Sequence, residues 1–154
     1  MTDAPTVEAD GERRVLDVLE AGGTLKDITG LTKAEVEKAH VIGLSLLDQA
    51  KYAKAEPLLQ FACLYEHTSP RYWMALGRCR QSLKNYPGAI DAYLMGHASD
   101  ETDPSPVVQA AVCYLALGDK DNAREALALA DRTIELATPD EAARQRISAL
   151  RQAL

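Results

Sequence analysis

The chain is 154 residues long, carries 17 basic and 23 acidic side chains for a net charge of −6, and is 47% apolar but only 5% aromatic. That length suits one domain burying roughly 68–70% of its unfolded surface and leaves no room for two. Ala and Leu supply most of the apolar share, which favours helix over an all-β sandwich, and the negative charge argues against nucleic acid or an anionic membrane as partner.

Residues 1–10 are expected to be disordered. The opening sequence has neither the basic nor the apolar region of a signal peptide, and no run reaches the roughly 18 apolar residues of a membrane span, so a cytoplasmic protein is expected. Gly11–Ala21 predicts a short amphipathic helix with Val15, Leu16, Val18 and Leu19 apolar, ended by Gly22-Gly23. Too short to be stable alone, it must pack on the following helices or on a partner subunit. Thr32 and Glu35 have the spacing of a capping box and open a helix from Lys33 to about Gln49.

From Val36 onward the chain repeats with a period of 34: Val36–Ser69, Pro70–Asp103 and Pro104–Ala137. The eighth places hold Gly43, Gly77 and Ala111, the twentieth Ala55, Ala89 and Ala123, and the twenty-seventh Ala62, Gly96 and Ala130. Small residues at fixed places in each half let two antiparallel helices approach closely, so Gly77 is expected to face Ala89 at the second crossing. The pattern resembles the tetratricopeptide repeat, and the middle block, with Trp73, Leu76, Gly77, Tyr86, Ala89 and Tyr93, is nearest to that family's usual residues.

Helix starts follow the same period, because Ser69-Pro70, Asp103-Pro104 and Thr138-Pro139 each place a capping residue before a proline suited to the first helical position. Pro57 falls inside a predicted helix, where a local kink is expected. Pro139–Ala153, with Thr138 and Glu141 as a second capping box, predicts a last helix that shields the open end of the third repeat. The expected fold is all-α: a solenoid of three repeats with a helix at each end, about eight helices and no strand. It occupies residues 11–154 as one domain.

No catalytic constellation is present. HExxH, GxSxG, GxxxxGK[ST] and GxGxxG are all missing. Cys63, Cys79 and Cys113 are an odd number with no CxxC pair, as expected of buried thiols in a reducing compartment, and His40, His67 and His97 have no zinc-ligand spacing. The expectation is no enzyme, no cofactor and no metal.

What the repeats offer is a surface. The first helix of each repeat presents its second, fifth, ninth and twelfth places to the concave side: Glu37, His40, Leu44 and Leu47; Arg71, Met74, Arg78 and Gln81; Ser105, Val108, Val112 and Leu115. This lining is apolar at both ends and basic or polar in the centre, which suits an extended peptide with apolar anchors. The alternative is that the apolar ends are covered by the terminal helices or by a second subunit. The candidate groove residues are His40, Leu44, Leu47, His67, Met74, Arg78, Gln81, Val108 and Val112. The Lys and Asn clamp with which some such proteins grip the C-terminal carboxylate of heat-shock chaperones is missing, its places being held by His40, Leu44, Ala75, Ser105 and Gln109.

A closer resemblance lies in Gly23-Thr24-Leu25-Lys26-Asp27-Ile28, Leu31, Lys51-Tyr52, Ala55, Cys63, Glu66-His67 and Leu76-Gly77-Arg78-Cys79-Arg80-Gln81. Over about residues 12–150 the chain resembles the class II chaperones of bacterial type III secretion, small tetratricopeptide proteins that hold the two pore-forming translocators. The resemblance implies an acidic cytoplasmic chaperone, homodimeric through its N-terminal region (here Val15, Leu16 and Leu19), whose groove binds an extended segment of a hydrophobic translocator. That family commonly has aromatic groove walls where His40, Leu44 and Leu47 stand here, which alters the client side chains the pockets accept. A chaperone of the needle subunit and a general scaffold are the alternatives. Needle-subunit chaperones tend to be shorter and to lack the 23–28 and 77–81 segments.

Overall fold

The computed structural model describes residues 32–136 and 141–154, which form seven helices and, among the described residues, no strand. These are α1 (Lys33–Asp48), α2 (Tyr52–Tyr65), α3 (Pro70–Ser82), α4 (Tyr86–Ser99), α5 (Ser105–Ala116), α6 (Lys120–Leu136) and α7 (Glu141–Gln152). The predicted helix at 11–21 and the capping pair at Thr138 lie outside the described residues. Each helix packs mainly on its neighbours in sequence, with α1 also touching α3 and α5 touching α7, as expected of stacked repeats.

Local chemistry sets the boundaries. Thr32 caps α1 with the predicted box: its backbone N–H donates to Glu35 Oε2 at 2.8 Å, and the Glu35 N–H donates to Thr32 Oγ1 at 3.3 Å. Pro70 opens α3, although the Ser69 side chain makes no cap bond. The third repeat starts one residue later than predicted, with Asp103 Oδ1 accepting from the Ser105 N–H at 2.8 Å. The second helix of every repeat begins at the seventeenth place, at Tyr52, Tyr86 and Lys120. Pro57 lies within α2 on an exposed side, and the helix runs on through it to Tyr65.

The turns between paired helices share one geometry. Ala50, Lys84 and Gly118 all stand at the fifteenth place and have φ of 57°, 59° and 76°. In each, the next residue's N–H returns five residues, to Leu46, Arg80 and Tyr114 (2.8, 2.9 and 2.9 Å), and the left-handed residue's own N–H returns three. This is a Schellman cap repeated three times.

The helix crossings obey one rule, in which the side chain at the twenty-fourth place lies nearest to the small eighth place. A β-carbon on Gly77 would lie 2.5 Å from Cε1 of Tyr93, and one on Gly43 would lie 2.7 Å from Cδ2 of Leu59. The small eighth place therefore receives the large twenty-fourth, whose side chain is long enough to fill the gap. Ala89 packs in one cluster with Ile90 and Tyr93 and with Ala110 and Cys113 of the next repeat. The core is continuous in this way from Val36 and Leu47 in α1, through Leu59, Tyr72 and Leu76, to Leu127, Ile134 and Ile147 at the far end.

Candidate peptide-binding groove

Residues spaced three, four and three apart stand on one side of a helix, so the chosen places make one row on each of α1, α3 and α5. At the junction of repeats one and two this row is tied together. Arg71 forms an ion pair with Glu37, the Tyr72 hydroxyl donates to Glu37 Oε2 at 2.9 Å, and the Arg71 guanidinium lies 4.9 Å from the Tyr72 ring centre. The hydrogen bond from Tyr72, followed by that from Arg71, holds the Glu37 carboxyl below the usual range.

His40 is buried behind this network, its ring 4.5 Å from that of Tyr72. Burial lowers its pKa, so near neutral pH the ring is uncharged, and its buried Nδ1 has no hydrogen-bond partner. Leu47 and Val108 are buried too, at 6% and 2% exposure, and belong to the core behind the row. Leu44, Met74, Gln81 and Val112 are half-buried and Arg78 is exposed, so these five keep open surface on the row. His67 stands apart in the loop between α2 and α3, where its carbonyl accepts from Trp73 Nε1 at 2.6 Å and from the Ser99 hydroxyl at 3.3 Å. Val15, Leu16 and Leu19 are outside the described residues.

The segment 77–81 proves to be a fastening. Gly77 takes the Tyr93 ring, the Cys79 thiol donates to the Tyr52 carbonyl at 3.3 Å, and Arg80 reaches Glu56 Oε1 at 3.0 Å and the Gly88 carbonyl at 3.2 Å. Gln81 Oε1 accepts from the Tyr93 hydroxyl at 2.6 Å. In this segment Arg78 alone is exposed. All three thiols are free and buried, and burial pushes Cys63 up to about 12 and Cys79 and Cys113 up to about 11.

At the other end, α7 does more than shield the last repeat. Ile147 packs with Val108, and Arg146 joins Ser105, Val108, Ala142 and Ala143 around a cavity of about 210 Å³. Arg146 also donates to the Gln109 side-chain oxygen, at 2.8 and 3.2 Å, once that amide is oriented by its bonding. Sequence spacing could not find Arg146, which lies outside the repeats, whereas Tyr93 was visible only as a repeat position. Among the described residues no group of His, Cys, Asp or Glu is placed to hold a metal, and no helix is long and apolar enough to cross a membrane.

No family model matches the chain. Low calcium response locus protein H of Yersinia pestis is 28% identical over 136 residues, covering 88% of this chain and 81% of that protein. The translocator chaperone SycD of Yersinia enterocolitica, for which a dimer has been described, superposes with a TM-score of 0.76 at 26% identity, covering 86% of this chain and 98% of SycD. PcrH of Pseudomonas aeruginosa, solved with the chaperone-binding region of PopB, is 31% identical with a TM-score of 0.71, covering 79% of this chain and 98% of PcrH. With its repeat architecture and its 77–81 fastening, the chain belongs to the class II, tetratricopeptide-repeat chaperones of type III secretion translocators.

Proposed function

We propose that this chain is a cytoplasmic chaperone that holds an extended segment of a hydrophobic, membrane-inserting translocator along the face of α1, α3 and α5, keeping the client soluble until it is secreted. The observation that carries this is the half-buried apolar pair Leu44 and Val112 set on either side of the polar centre at Arg78 and Gln81. Each apolar anchor of a client contributes about 1.5–3 kcal/mol on burial, so two or three anchors with backbone hydrogen bonds reach roughly the −8 kcal/mol of a micromolar complex. The task is binding, with no catalytic step. A needle-subunit client and a general scaffold gain no support from the relatives, which are translocator chaperones. Self-association through Val15, Leu16 and Leu19 belongs to the same proposal, and deleting residues 1–21 should shift a dimer towards monomer in sedimentation.

The test is co-expression. A client translocator should be soluble beside the wild-type chain and insoluble beside Leu44→Glu or Val112→Glu, since either sets an unpaired carboxylate in an apolar wall. Equal client solubility with both variants, each confirmed as folded, would place the binding site elsewhere.

A further inference from the structure

The centre of the row on α1, α3 and α5 carries positive charge that no acidic side chain among the described residues pairs with. The other arginines around the first three helices are paired, Arg71 with Glu37 and Arg80 with Glu56. Among the described residues Arg78 and Arg146 have no acidic partner, and both bonds given by the Arg146 guanidinium go to the neutral amide of Gln109. In a chain of net charge −6, two unpaired guanidinium groups near one point are unexpected.

That point is the Tyr93 hydroxyl. Burial, with the neighbouring Cys113 thiol, raises its pKa, while the charges of Arg78 and Arg146 reach it and pull the other way. The hydroxyl therefore stays protonated and donates to Gln81 Oε1 at 2.6 Å. With its oxygen so occupied, the Gln81 amide keeps both N–H donors for the groove. Gln81 lies three residues from Arg78, one turn along the same side of α3.

We infer that Arg78, Gln81 and Arg146 form a carboxylate site in the middle of the groove, which takes an acidic side chain of the client lying between two of its apolar anchors. The inference rests on the groove binding proposed above and adds the chemistry of the segment it accepts. Two cationic forks and a fixed amide donor match a carboxylate, whose oxygens accept several charge-assisted bonds at once. A C-terminal carboxylate fits less well, because Leu44 and Val112 continue the apolar wall on both sides and a chain ending at the centre would leave one of them uncovered.

The test uses short random peptides displayed between two flanking domains, so that neither peptide end is free, selected on the full-length chain. Selected sequences should place Asp or Glu between apolar residues. A synthetic copy with that acid replaced by its amide should bind about tenfold or more weakly, the worth of a charge-assisted bond. Arg78→Gln and Arg146→Gln should each weaken the acidic peptide to a similar degree and leave the amide peptide nearly unchanged. Selected peptides without an acid, an acidic peptide indifferent to both arginine variants, or tighter binding of a copy truncated to a free C-terminal carboxylate would each overturn the inference. Leu44→Glu separates the two levels. If it weakens the peptides while the arginine variants do not, the carboxylate site alone fails; if it weakens none of them, the groove fails with it.

Discussion

Tyr93 occupies the space that a side chain on Gly77 would need: a β-carbon there would stand 2.5 Å from the ring. The ring is fully buried and its hydroxyl is held by Gln81, so it has nowhere to move. Gly77→Leu should cost about 1–3 kcal/mol or more by overpacking. Tyr93→Leu should relieve part of that loss, so the double variant would be more stable than the sum of the two single changes. Additive urea-unfolding free energies would show that the two residues do not share one space.

The three left-handed turns provide an internal comparison. Gly118 adopts φ of 76° with nothing within 4 Å of an added β-carbon, so Gly118→Ala should lose about 1 kcal/mol for conformational reasons alone. Ala50 and Lys84 sit in the same conformation without being glycine. Ala50→Gly and Lys84→Gly should each gain about 0.5 kcal/mol, the relief of strain less the greater freedom of glycine in the unfolded chain. Thermal melting of the three variants checks the signs.

Leu44 and Leu47 stand one turn apart, yet they should fail differently. Leu47 is 6% exposed and packed in the first core cluster, so Leu47→Ala should cost about 2–5 kcal/mol and Leu47→Glu should prevent stable folding. Leu44 is half-buried, and Leu44→Glu should keep its circular dichroism while losing client. A folded Leu47→Glu chain would show that the residue belongs to the open groove after all.

His40 predicts a pH dependence. Its ordinary pKa is 6.5, and burial lowers it in the folded state, so between the two values the unfolded chain binds a proton that the folded chain does not. Stability from this group is full above about pH 6.5 and falls as the pH drops through the folded value. The groups facing it are Glu37, whose charge favours protonation, and Arg71, whose charge opposes it, with the Tyr72 ring between. Glu37 itself loses its contribution only in the separate window below its ordinary 4.5. His40→Phe should abolish the decline in urea midpoints that sets in as the pH falls below the ordinary 6.5; parallel profiles for the two chains would assign it to other groups.

The 34-residue period, the helix starts at proline and the capping box at Thr32 were all legible along the chain, because each depends on residues close in sequence. The row on α1, α3 and α5 was legible for the same reason, since helical spacing alone puts Leu44, Arg78 and Val112 on equivalent sides. Tertiary packing decided which of that row keeps surface open to solvent. His40, Leu47 and Val108 have the right spacing but are covered by Tyr72, the first core cluster and Ile147, and burial is a property of neighbours distant in sequence. It also decided that Gly77 receives the Tyr93 ring, because side-chain length settles what fills a gap. Arg146, outside every repeat, comes beside Ser105 and Val108 only because α7 folds back onto α5, a contact that no period along the sequence encodes.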